Sequence, residues 1–170
     1  MVSAIRDRVV ALRRVRAGDL IPHPRNWRKH PERQAQALAG VLAEVGYAGA
    51  LIVRETADGL QLIDGHLRAE TTPDAVVPVL VVDVTEEEAD KLLATLDPLA
   101  AMAEADAEVL AGLLATVNSE SEAVREMLAR LAHDSGAMVP DFGSVGLDEQ
   151  GRLDERAPVR CPECGHEFTP

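Results

Sequence analysis

From Asp64 to Glu70 the chain reads Asp-Gly-His-Leu-Arg-Ala-Glu, and here groups able to do chemistry crowd together. Gly65 lets the backbone come close to a ligand. A helix starting just after it aims free N–H groups at the same place, which suits an anion. Arg68 adds a guanidinium fork for phosphate, and His66 a donor or proton carrier. Asp64 and Glu70 are candidates to hold a metal such as Mg²⁺ beside bound phosphates, or to act as a base. Taken alone, a Gly-His-x-Arg string equally fits a tight turn with a surface ion pair. More cations lie upstream, where Arg25, Arg28 and Lys29 sit in a proline-rich segment.

A second cluster lies near the end, in Cys161-Pro162-Glu163-Cys164-Gly165-His166. The C-x-x-C spacing suits tetrahedral Zn²⁺, and the stretch resembles half of a zinc ribbon. It offers three ligands at most, Cys161, Cys164 and His166. Zinc is then shared between two chains, completed by another histidine, or absent. These are the only two cysteines, so the chain is not a disulfide scaffold.

The elements that must position these groups follow from pattern. Arg8 to Arg16 is valine-rich and alternating, as a strand requires. Leu20 to Trp27 holds two prolines and reads as an ordered loop anchored by Trp27. A helix starts near Pro31 and stops at Gly46. Leu51-Ile52-Val53 and Leu60 to Ile63 are strands joined by the Asp58-Gly59 hairpin signal. Asp64-Gly65-His66 turns into a short helix over Leu67–Thr72, and Val76–Val84 is the strongest strand. Thr85 caps a helix to about Leu96, with acids in its first turn. Two more amphipathic helices are predicted near Ala105–Val117 and Ser121–His133. The fold class expected is α+β, with four segments. A domain spans 1–97, an acidic helical arm 98–134, a linker 135–160 and a Cys tail 161–170.

The order of loop with Arg and Lys, helix, strand, Asp-Gly hairpin, strand, Gly-His-x-Arg turn, helix and strand resembles the N-terminal domain of the ParB family. That superfamily includes sulfiredoxin and the free serine kinases. The matching pieces are Leu20 to His30, Gly46-Tyr47 before Leu51-Ile52-Val53, Asp64 to Arg68, and Val77 to Val82, over about residues 8–97. The resemblance implies a small mixed sheet with helices, and nucleotide phosphates surrounded by Arg28, Lys29, Gly65, His66 and Arg68. The Gly-His-x-Arg variant is similar to the phage and plasmid branch found beside DNA methyltransferases. Leu67, Ala69 and Glu70 depart from the arginine-richer stretch of chromosomal partition proteins, which argues against CTP specificity and clamp sliding. Sulfiredoxin chemistry needs a thiol at the glycine-led motif, and no cysteine precedes Cys161. The kinases use a similar Asp-Gly-His turn with a carboxylate base, for which Glu32 and Glu70 are the candidates.

Charge divides the chain. The first 35 residues carry nine Arg or Lys against three acids, a balance of +6, while the whole chain is −12 and the remainder therefore −18. A basic head on an acidic body allows one phosphate-binding face and repels DNA elsewhere. Most acids between Glu86 and Glu126 read as solvated surface. Lys91, Arg125 and Arg130 are the only bases between Thr85 and Asp134, too few for a sequence-reading DNA motif. Any DNA binding is expected to be weak and salt-dependent. No stretch approaches the roughly 20 apolar residues of a membrane span. A soluble cytoplasmic protein of a bacterium or phage-infected cell is expected. With four aromatic residues in all, the core must be aliphatic.

Three function classes follow. One is a binding module for nucleotide or DNA phosphate that serves a DNA-modifying partner such as a methyltransferase. Another is an enzyme, a phosphotransferase or weak nuclease or NTPase, with Asp64, His66 and Glu70 as catalytic groups and nucleoside di- or triphosphate with Mg²⁺ as substrate. The third is an adaptor whose pocket is inert and whose helical arm and cysteine tail dock a partner; the leucines of the middle helices suit core or an oligomer interface, as in a homodimer.

Overall fold

The longest aliphatic run, Val76–Val82, forms strand β4, and its alternation decides the layering. Val77, Val79 and Val81 are buried on one face, while Val76 is exposed. A strand of period two with one buried face lies with that face on a core. Here β4 pairs with β1 (Val9–Arg16) antiparallel and with β2 (Leu51–Thr56) parallel. β2 turns back at Thr56 and Gly59 into β3 (Gly59–Asp64), so the sheet runs β1-β4-β2-β3.

The computed structural model describes residues 5–137, 159–160 and 166–168. Its fold is α+β, a four-stranded mixed sheet with five α-helices among the described residues. Leu51, Val53, Leu62, Val77, Val79 and Val81 form the core with Ala17, Leu20 and Ala69, and Tyr47 packs partly buried against it. Among the described residues no aromatic ring belongs to the buried cluster itself, and the core is aliphatic.

Helix α1 is Glu32–Val45, with Pro31 as its N-cap and Gly46 after its last turn. Helix α2 is His66–Thr71, and α3 is Glu86–Ala101. Thr85 and Glu88 close a reciprocal capping box at the start of α3. That helix runs through Pro98, five residues past the expected end at Leu96. Proline's fixed φ is compatible with a helix, and Pro98 forfeits one N–H without ending it.

Helices α4 (Ala107–Leu114) and α5 (Glu122–Asp134) complete this unit. The segment 98–134, expected as an arm, lies in the same compact unit as the sheet, Met1–Val139. The join between α1 and α5 is close. A Cβ on Gly40 would stand 2.3 Å from Ser121 Oγ and 2.8 Å from Val124 Cγ2, so only glycine admits this contact. Glu44 Oε1 accepts from Ser119 Oγ at 2.8 Å and from the amides of Glu120 and Ser121 at 2.9 and 3.0 Å. These bonds, the Ser119 hydroxyl first, hold the Glu44 carboxyl below its ordinary pKa.

In the second unit, Pro140–Pro170, β5 (Val159–Arg160) pairs antiparallel with β6 (Glu167–Phe168). Most of the expected linker, and Cys161 and Cys164 with it, lie outside the described residues. Among the described residues no helix is long and apolar enough to cross a membrane.

Candidate functional site

The site begins where β3 ends. Asp64 closes the strand, and Gly65 follows in the left-handed region at φ +96 as the N-cap of α2. A side chain there is excluded twice over: the φ favours glycine, and a Cβ would lie 2.6 Å from Leu51 Cγ. The turn can therefore sit directly on the core. Arg68, one helical turn on, donates from Nη2 to Asp64 Oδ2 at 2.7 Å. Tyr47 Oη donates to the Arg68 carbonyl at 3.2 Å and also pairs with Thr72 Oγ1, clamping α2 from outside.

His66 is 6% exposed, and its Nε2 accepts the backbone N–H of His23 at 3.1 Å. An accepting Nε2 places the ring proton on Nδ1 and makes the imidazole neutral. Burial pushes the His66 pKa down, opposed chiefly by the Glu70 carboxylate. His23 is buried still more, at 4%, and its Nδ1 accepts the Arg25 amide at 3.2 Å. Its Nε2 then carries the proton and faces Asp90 Oδ1 at 3.7 Å. Burial lowers the His23 pKa as well, against the pull of Asp90. The loop's buried anchor is thus His23, whereas Trp27, expected to serve as anchor, is 56% exposed.

The loop is laid along one face of α3. Asp90 pairs with Arg25, the Leu93 carbonyl accepts from Trp27 Nε1 at 3.4 Å, and Asp97 pairs with Arg28. Positions 90, 93 and 97 share a helical face, so a single helix edge holds three consecutive parts of the loop. Arg28 also stacks its guanidinium over the Trp27 ring, 4.8 Å from the centroid. The acids of α3 read as solvated are in part spoken for. Glu88 binds Arg8 at 2.8 Å, while Asp90 and Asp97 hold the loop.

Loop, turn, α1 and α3 enclose a cleft of about 230 Å³, lined among others by Trp27, Arg28, Asp64, Gly65, His66, Arg68 and Asp97. Arg28, Gly65, His66 and Arg68 thus face one concavity, and Asp64 joins them. Lys29 and Glu70 are exposed and do not line it. Glu32 is at the start of α1, bonded to Gln36, also outside the lining. Among the described residues no group of three or more His, Cys, Asp or Glu side chains is arranged to hold a metal ion. His166 is exposed, and its partners in the expected zinc set, Cys161 and Cys164, lie outside the described residues. The pairing of His23 with His66, and of Asp97 with Arg28, was not anticipated from the residues. The only local signals were a histidine fixed between Pro22 and Pro24, and an acid immediately before Pro98.

No family model matches the sequence, and no curated protein matches it. Among solved structures, it is similar to the C-terminally truncated chromosome-partitioning protein ParB from Caulobacter crescentus, complexed with CTP-gamma-S. The TM-score is 0.52 at 18% sequence identity, over 62% of this chain and 61% of that one. The chain therefore spans about three fifths of that protein's length. At this identity the likeness is one of fold, and the fold is ParB-like.

Proposed function

We propose that the cleft binds the phosphates of a nucleoside di- or triphosphate, and that the protein is a nucleotide-binding component of a DNA transaction. The observation that carries this is the convergence on one concave site of Arg28 and Arg68, which lie before α1 and after β3 in the chain. Each guanidinium is already placed, Arg28 by Asp97 and Trp27, Arg68 by Asp64, so little side-chain freedom is lost on binding. The Gly65 turn lines the same cleft and is packed directly on Leu51, which fixes the wall from which Arg68 reaches. The ParB protein of similar fold holds a cytidine nucleotide analogue, which supports the same ligand class here. Mg²⁺ carried by the nucleotide would screen its phosphates from Asp64 and Asp97.

A binding role is favoured over catalysis. His66 has its Nε2 committed to the His23 amide, and Glu70 is exposed and does not line the cleft. Of the trio Asp64, His66 and Glu70, only Asp64 and His66 line the cleft, which supports binding over catalysis. The net charge of −12 favours a protein partner, such as a DNA-modifying enzyme or a second copy, over tight contact with bare DNA. Such work belongs in the cytoplasm, where nucleotide and DNA meet.

The test is calorimetric titration of the purified chain with each ribonucleoside triphosphate and Mg²⁺, beside Arg68→Ala. At least one nucleotide is expected to bind, and the variant to lose roughly one to two decades of affinity, the worth of a charge-assisted contact. Equal affinity in a folded Arg68→Ala protein would remove the phosphate role of Arg68.

A further inference from the structure

Trp27 is the only tryptophan, and it is spent at an exposed position on the rim of the cleft. Its ring is held, not loose. The indole N–H donates to the Leu93 carbonyl at 3.4 Å, and the Arg28 guanidinium covers one face at 4.8 Å from the centroid. The backbone beneath is set by the Asn26 amide, which donates to the His23 carbonyl at 3.0 Å. With one face and the N–H engaged, the exposed part of a 56% exposed residue is its other face and edge.

Size adds a second argument. A cleft of about 230 Å³ falls below the roughly 300–1,000 Å³ of pockets that enclose whole small ligands. A nucleotide whose phosphates lie between Arg28 and Arg68 has little enclosed space left for its base, and Trp27 stands at the rim where the base would fall. A flat, fixed aromatic face at that rim is what a base can stack on, and stacking accepts any base because every base has a π-face.

We propose that the open face of Trp27 is the stacking platform for the base of the bound nucleotide, which rests on the nucleotide reading above. Arg28 then serves both ends of the ligand, pairing with phosphate on one side and bracing the platform on the other. Recognition of the base is by area rather than by its hydrogen-bonding edge.

The test uses the full chain, nucleoside triphosphates with Mg²⁺, and inorganic tripolyphosphate as a ligand without a base. Trp27→Phe keeps a flat ring, and Trp27→Ala removes it. Trp27→Ala is expected to weaken nucleotide binding roughly ten- to a hundredfold, to weaken tripolyphosphate far less, only through the lost brace on Arg28, and to be largely rescued by Trp27→Phe. In the unaltered protein, nucleotide should quench the single tryptophan's fluorescence and tripolyphosphate should not. Equal losses for both ligands in Trp27→Ala would make Trp27 a mere brace for Arg28 and overturn the proposal. So would nucleotide binding that is indifferent to Trp27→Ala. If neither nucleotide nor tripolyphosphate binds the unaltered chain, the nucleotide reading itself falls, and this inference with it.

Discussion

Across the cleft, the Gly65 turn and the 22–30 loop face each other, and they are held in place by different kinds of interaction. The turn is fixed by sterics: a left-handed glycine against Leu51, on a buried strand end. The loop has no regular hydrogen-bond ladder and is held by side chains, three of them to α3 and one amide to His66. Steric definition tolerates almost no substitution, while polar definition is graded and responds to pH and competing ions. A cleft with one hard wall and one adjustable wall can fix a phosphate while the other end of the ligand adapts.

The largest expected effect breaks the hard wall. Gly65→Ala places a Cβ 2.6 Å from Leu51 Cγ at φ +96. Left-handed strain together with overpacking should cost about 2–5 kcal/mol of stability. Urea unfolding measures this, and an unmoved midpoint would mean that the turn gives way easily and is no harder than the loop.

A smaller effect is expected on the adjustable wall. His66→Ala leaves the buried His23 amide without an acceptor, a loss of about 1–3 kcal/mol. It should also free the loop, making Trp27 more accessible to a soluble quencher. The same contact predicts an acid-sensitive fold. Burial lowers both imidazole pKa values from 6.5, so the unfolded chain binds protons more readily than the native one. Stability from this source is fully present above 6.5 and is lost as pH falls from there toward the native values. Urea midpoints that stay level across that window, with the rest of the profile accounted for, would deny the two histidines this role.

The smallest effect sharpens the comparison. Asp97 competes with an incoming phosphate for Arg28. Asp97→Asn should tighten nucleotide binding roughly three- to fivefold, from about 1 kcal/mol of like-charge repulsion at high dielectric. Weaker binding instead would show that Asp97 matters more for placing Arg28 than for opposing the ligand.

What the residues disclosed in advance tracks this same division. β4, the Asp58-Gly59 hairpin, the Thr85 cap and the Gly46 stop are set by neighbours in sequence, and the pattern reveals them. The glycine of the hard wall is readable for the same reason. The 3-10 turn Ala17–Asp19 was not, because it depends on amides of Ala17 and Gly18 reaching the carbonyls of Ala75 and Pro73. Nor was the use of His23, whose partner lies 43 residues away. Gly40 resembles any small helix residue until α5 is laid against it. Long-range pairing leaves little trace in local periodicity, so the loop wall of the cleft was legible in composition but not in arrangement.

The pairing of β1 with β4 has a consequence for how the chain is made. Arg16 is matched with Val76 and Val9 with Val82, so β1 has no partner until about sixty further residues have followed it from the ribosome. At about 5–20 residues per second that is a wait of several seconds. Meanwhile the β2–β3 hairpin, closed across Thr56 and Gly59, can form by itself. A waiting strand with Val9, Val10 and Leu12 invites pairing with another nascent copy. Arg13, Arg14 and Arg16 in the same eight residues oppose that through like-charge repulsion. The arginines of the basic head thus bear on the chain before any ligand is met, as charges that oppose strand-to-strand association while β4 is still to come.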